Sequence, residues 1–313
     1  MLWMDGLVLP SDKLGDINNN NDIFLNDYVH SRGHGNYTYS VQPGNVYTEN
    51  GDLVLKVAPP VGTTIGSAQA SSRRKDLFYG TYRSEILMPP QEGSCVGFFH
   101  YYNDTEEVDI EYIGQNKDML YFSSKRTNPQ DFSTDIDYLN AVMKTPVANV
   151  YRDYRFDWTK DKVDFFVDDK LYYSATSSVP STPARFMLMN WGNGDKDWSD
   201  LPKENIYAKV RNVRVFFNST HPYIISNYDK VCTAAREAGK TDTVCSIASF
   251  SKTEKYGFEE NVIRRFAVTG KLDTAAPSGT TSSAPSSLWG RESSTSRTLW
   301  SIVLVVFVLI QSL

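Results

Sequence analysis

Cysteine is scarce in this chain of 313 residues: there are three, Cys95, Cys232 and Cys245, and three cannot all pair within one chain. Cys232 and Cys245 flank a polar, glycine-containing stretch and are expected to form one disulfide, which leaves Cys95 as a buried free thiol. A basic stripe is also missing. Lys and Arg are scattered and the net charge is −5, which argues against a nucleic-acid-binding surface. No helical period of useful length runs through most of the chain. Long apolar runs are absent apart from the C-terminal "TLWSIVLVVFVLIQSL". Its apolar part is about a dozen residues, short of the roughly 20 that span a bilayer. The opening "MLWMDGLVLPSDK" lacks a basic segment and a long apolar core, so it makes a poor secretory signal.

What is present supports a folded chain. Hydrophobic residues make up 41% and aromatics 13%, enough for a core and too many for bulk disorder. The 19 tyrosines and 6 tryptophans suit sugar stacking as well as packing. Asn36, Asn103 and Asn218 each head an N-X-[ST] glycosylation sequon. Near the C-terminus, "TAAPSGTTSSAPSS", a polar spacer and the short apolar tail have the form of a GPI-attachment signal, with attachment near Ser283 or Ala284. A retained hydrophobic anchor is the alternative. Sequons and tail agree on an extracellular, cell-surface or wall protein tethered to a membrane, so an entry signal is expected ahead of the first residue.

Between about residues 23 and 220, short runs rich in Val, Ile, Tyr and Phe are cut by turn signals. "DLVLKVA", "GTYRSEILM", "CVGFFHYY", "KVDFFVDD" and "YAKVRNVRVFF" are examples. This pattern predicts an all-β sandwich or jelly roll. Residues 1–22 read as a lead-in, 23–220 as the β domain and 221–270 as a cysteine-containing extension. In that extension "ISNYDKVCTAAREAG" predicts a helix ended by Gly239. Residues 271–298 read as linker and 299–313 as the tail.

One stretch stands apart. "EEVDIEYIG", residues 106–114, puts four carboxylates into six positions with no base among them. On a strand, Val108, Ile110 and Tyr112 face a core, while Glu107, Asp109 and Glu111 face outward together. Glu106 then points the other way. Cα atoms four residues apart lie roughly 13 Å apart, whereas retaining glycosidases hold two carboxyls about 5–5.5 Å apart. Two Glu leaning together on a curved strand can close that gap, with the shorter Asp109 between them. Three such close carboxyls cannot all be ionised at neutral pH, which separates an acid from a nucleophile. A calcium site or a solvated acidic edge strand is the plainer alternative.

"EVDIE" matches the E-[ILV]-D-[ILVF]-E signature of glycoside hydrolase family 16. "YGTYRSEILMPPQEGSCVGFFHYYNDT" before it and "YRFDWTKDKVDFFVDDKLYY…RFMLMNWGNGD" after it are similar to that family's other segments. The resemblance covers about residues 23–218 and is nearest to licheninase-like fungal members. It implies a concanavalin A-like jelly roll, no cofactor, and retaining hydrolysis of β-glucan through a covalent intermediate. It makes Glu107 the nucleophile, Glu111 the general acid and then base, and Asp109 the helper of Glu107. Trp191 matches a tryptophan that stacks on sugar near the cut. His100, Tyr101, Tyr102, Asn193, Asp195 and Trp198 are further candidates for lining the cleft. Several positions depart from the family pattern: Met189, Ser123 and, for a histidine, Arg152. The usual Asp-Gly turn is Asp168-Asp169. Arg211 stands where bacterial relatives have an acidic calcium ligand, so no metal is expected. Hydrolysis of β-1,3- or mixed β-1,3-1,4-glucan by a monomer leads. A glucan or chitin transglycosylase and a non-catalytic glycan-binding protein are the alternatives. A catalytic reading implies an acidic pH optimum.

Overall fold

A computed structural model describes residues 5–30, 37–127 and 133–222, with isolated positions from 225 to 237. The described residues hold seventeen strands. They are β1 (Asp5–Pro10), β2 (Ile23–Leu25), β3 (Tyr28–His30), β4 (Thr38–Val41), β5 (Val46–Glu49) and β6 (Asp52–Val61). Next come β7 (Thr64–Ser72), β8 (Leu77–Leu87), β9 (Cys95–Asn103), β10 (Glu106–Ile113), β11 (Met119–Thr127) and β12 (Thr134–Val142). The last are β13 (Tyr151–Trp158), β14 (Val163–Val167), β15 (Lys170–Ala175), β16 (Arg185–Trp191) and β17 (Ile206–Ser219).

They form a jelly-roll sandwich. In the outer sheet β17 pairs antiparallel with β8 on one side, and on the other with β6 and then β1. From β8 the sheet runs on through β13, β14 and β15. The facing sheet runs β12–β11–β10–β9–β16–β7–β2, antiparallel throughout. Alternation explains the packing between them. Tyr82 and Ile86 of β8 and Tyr154, Phe156 and Trp158 of β13 turn inward. They meet Phe98 of β9, Val108 and Ile110 of β10, Phe122 of β11 and Phe186 of β16. Each such side chain, fully buried, stabilises the fold by about 1.5–3 kcal/mol.

One expectation changes here, and one alternative falls. The lead-in is part of the sandwich: Asp5–Pro10 pair with Asn212–Phe217 of β17, and Leu9, Leu14 and Ile17 join the core. The acidic strand is not an edge, because β10 is flanked by β9 and β11. The described positions of the expected C-terminal helix, among them Ile225, Asp229 and Glu237, are helical. Cys232, Cys245, Asn36, the linker and the tail lie outside the described residues.

Two departures noted in the sequence meet in space. Asp168 and Asp169, both at positive φ (51° and 61°), make the β14–β15 turn where glycine would carry no strain. Arg152 donates to Asp168 at 2.6 Å and Arg83 to Asp169 at 2.7 Å, so the carboxylates that strain the turn also tie it down. Arg211 lies 3.5 Å from the Tyr151 ring centre and pairs with Glu85 at 3.3 Å.

Candidate active site

Alternation along β10 divides its side chains as the sequence implies. Val108, Ile110 and Tyr112 are buried in the core, whereas Glu107, Asp109 and Glu111 share the opposite face. Alternation turns Glu106 away from them. Glu106 accepts hydrogen bonds from the backbone of Ser181 at 3.0 Å and of Thr182 at 2.8 Å, so it ties down that loop.

The neighbouring strands supply what surrounds the acids. Across β11, Ser123 stands opposite Asp109 and donates its hydroxyl to that carboxylate at 2.6 Å. Lys125 stands opposite Glu107, and Tyr121 opposite Glu111. Across β9, Tyr101 faces Glu107, Phe99 faces Asp109 and Gly97 faces Glu111. A Cβ at Gly97 would lie 3.2 Å from the Phe99 ring and 4.0 Å from Glu111 Cγ, so glycine leaves room beside that carboxyl. Cys95 Sγ donates to Glu111 Oε1 at 3.5 Å; it is the free, buried thiol expected from the sequence.

The electrostatics follow from this packing. Burial raises all three carboxyls: Asp109 to about 6, Glu111 to about 8 and Glu107 well above the usual carboxylate range. The charge of Asp109 raises Glu107 and Glu111 further. A hydrogen bond between Glu107 and Asp109 raises Glu107 and lowers Asp109, and the Ser123 hydroxyl lowers Asp109 as well. Asp109 is therefore the first of the three to ionise. At neutral pH Glu107 holds a proton shared toward Asp109, and Glu111 keeps its own. Such a set can combine a nucleophile with a separate proton donor.

The remaining candidates divide. Trp191 sits on the acids' side of β16 opposite Cys95, with its ring centre 5.3 Å from that of Tyr39. Tyr101 shares the acids' face and donates to Asp104 at 2.7 Å. His100 does not belong to the site. It is wholly buried, 4.5 Å from the Trp158 ring centre, and its Nε2 meets the Leu77 carbonyl at 3.3 Å. Burial pushes it down to about 4, so it is a neutral core residue. Its register partner is Val108, on the apolar face of β10, and alternation sends both inward. Tyr102 is the extra, unregistered residue at the irregularity of β9 and is 51% exposed.

The Asn193–Trp198 loop is self-bonded. Asn193 is buried and accepts from Ser199 at 2.8 Å, and Asp195 accepts from the Asp197 backbone at 2.9 Å. Trp198 is buried with its ring centre 5.8 Å from that of Tyr121, so it backs a residue of the acids' face and offers no open stacking surface. Asn103 is exposed; its side-chain oxygen caps the β9–β10 turn, accepting from Thr105 and Glu106. Asn218 is half-buried on β17. Among the described residues no group of His, Cys, Asp or Glu has the arrangement of a metal site.

Sequence reasoning missed Lys125, Gly97 and a Tyr28–Gln69 pair (2.6 Å) beside Trp191's neighbour Tyr39. It registered Ser123 only as a departure from the expected asparagine. Register alone reveals them, because each stands on a strand other than β10.

Residues 33–207 match the family described as "Glycosyl hydrolases family 16". The chain is similar to a beta-glucanase of Bacillus amyloliquefaciens, 30% identical over 162 residues, which are 48% of this chain and 63% of that protein. It is also similar to Crh-like protein 3 of Botryotinia fuckeliana, 21% identical over 276 residues, 80% of this chain and 58% of that protein. Its matches span roughly half to two thirds of the beta-glucanases' length, for example 48% of that of Acetivibrio thermocellus. Among solved structures, the beta-glucanase of Bacillus licheniformis superposes with a TM-score of 0.58 at 21% identity, over 68% of this chain and 98% of that one. A beta-1,3-1,4-glucanase (lichenase) from a mouse hindgut metagenome also gives a TM-score of 0.58, at 18% identity over 68% and 99% of the two chains.

Proposed function

Because this chain is a member of glycosyl hydrolase family 16, we propose that it is a retaining endo-β-glucanase acting on β-1,3- or mixed β-1,3-1,4-glucan. The observation that carries the reading is the face of β10, where Glu107, Asp109 and Glu111 stand together, two of them sharing a hydrogen bond. The relatives named beta-glucanase support the substrate class.

The chemistry follows from the proton positions. Glu107 attacks the anomeric carbon as the glycosidic C–O bond breaks, and Glu111 gives its proton to the leaving oxygen. As Glu107 attacks, the one proton of the Glu107–Asp109 pair passes from Glu107 to Asp109, and it remains there while Glu107 is bonded to sugar. Glu111, now ionised, takes a proton from water, whose oxygen attacks the anomeric carbon and frees Glu107. Activity requires one charge on the pair and a proton on Glu111. The pH profile is therefore a bell, rising around the Asp109 value of about 6 and falling around the Glu111 value of about 8. The expected optimum is accordingly nearer neutrality than the acidic one that the sequence implies.

Incubating the whole protein with lichenan, laminarin and chitin oligomers and identifying the products tests this. Internal cuts in either glucan support it; inertness toward both glucans overturns it. A second reading, transglycosylation, is favoured by Tyr138. This residue is 53% exposed and stands opposite Ser123, hence on the acids' face two strands from Asp109. That is roughly 10 Å away, a fit for an acceptor sugar beyond the cut. Longer products on adding an oligosaccharide acceptor distinguish this reading from hydrolysis. The proposal extends to an extracellular, membrane-tethered glycoprotein, supported by the sequons and the C-terminal tail. Endoglycosidase and phospholipase treatment of the native protein test it.

A further inference from the structure

The three acids of β10 have no base beside them on their own strand, but one stands across the ladder. Lys125 lies on β11 directly opposite Glu107, on the same face, and is 7% exposed. Among the described residues it has no hydrogen-bond or ion-pair partner. A lysine is seldom buried unless paired, so this one is held beside the acids without being neutralised by any of them.

We propose that Lys125 is a positioning residue for the nucleophile: its ammonium holds the Glu107–Asp109 pair in the singly ionised state from which Glu107 attacks. The proposal rests on the retaining reading above and adds to it a residue outside the acidic motif. The other groups facing the pair do not supply this charge. Ser123 and Phe99 are neutral, the Tyr101 hydroxyl is given to Asp104, and burial keeps the Cys95 thiol protonated. Glu111 is a like charge when ionised. Arg185, opposite Tyr101 on β16, is bound to the carbonyls of Ser72 and Arg73. Arg126 faces Glu106 on the other side of β10. The cation favours ionisation of both Glu107 and Asp109. A direct ion pair would anchor Glu107; a cation set further off biases the pair and leaves the carboxylate free to bond with sugar.

The test compares Lys125→Met and Lys125→Arg with the unaltered protein. The expected result is that Lys125→Met moves the acidic limb of kcat/KM up by about one pH unit and leaves the basic limb in place. Lys125→Arg restores the limb. Carbon-13 carboxyl titration by NMR, which needs no activity, shows the Asp109 transition moving in the same direction. Identical acidic limbs and identical carboxyl titrations in a folded Lys125→Met overturn the proposal. An unaltered protein inert on all glucans overturns the retaining reading instead, and the carboxyl titration still decides the role of Lys125.

Discussion

The two exposed sheet faces treat carboxylates in opposite ways. On the outer sheet Asp153, Asp157 and Asp164 are each matched to a base. Asp153 is held between Arg83 at 3.2 Å and Arg214 at 3.0 Å, and Asp157 has Arg155 at 3.3 Å and the Thr81 hydroxyl at 2.6 Å. Asp164 has Lys162 at 2.6 Å. On the opposite sheet, Glu107, Asp109 and Glu111 crowd together with no ion-pair partner among the described residues, and Lys125 acts only from a distance. Pairing fixes a charge and makes it structural. Withholding the pair leaves the proton movable, which costs stability and permits chemistry.

Substitutions break this comparison at either face. The largest effect is expected from Glu107→Gln, which lowers kcat by more than roughly a thousandfold and leaves glucan binding intact. Reducing-end release and a binding isotherm check both halves. On the outer face Asp153→Ala takes a buried carboxylate away from Arg214 and from Arg83, which keeps Asp169. It is expected to cost about 3 kcal/mol in denaturant unfolding while kcat stays unchanged.

The pH dependence of stability is a subtler test. The folded-state value of Glu111 is raised to about 8 from an ordinary 4.5, so the folded protein binds more protons than the unfolded chain between those values. Stability from this group is full below the ordinary value and declines as pH rises toward about 8. Glu111→Gln removes that decline, so its melting temperature relative to the unaltered protein rises from pH 5 to pH 8. The smallest change is expected at the β14–β15 turn. Asp169→Gly relieves a positive φ but loses the bonds to Arg83 and Arg155, and shifts stability by less than about 1 kcal/mol.

The legible part of the site was the part lying on one strand. Alternation from Val108 to Tyr112 gave the face of each acid and turned Glu106 away, with no knowledge of neighbours needed. The aromatic and β-branched runs likewise gave the sandwich. Register across the ladder was not legible, because pairing is set by turn length and by irregularities such as the one between Glu106 and Glu107. A shift of one residue exchanges the faces. His100 was therefore grouped with Tyr101 when the structure sends it into the core. Lys125, Ser123 and Gly97 owe their place to pairing alone. The Asn193–Trp198 loop misled for another reason: its polar residues bond to one another.

The central claim is that Glu107 forms the bond to sugar while Glu111 moves the proton. Its most direct test is to trap the intermediate with a 2-deoxy-2-fluoro glucan substrate and map the modified peptide by mass spectrometry. The sugar is expected on Glu107, with none on Asp109 or Glu111. An adduct on Glu111, or full turnover with no adduct at all, would contradict the account.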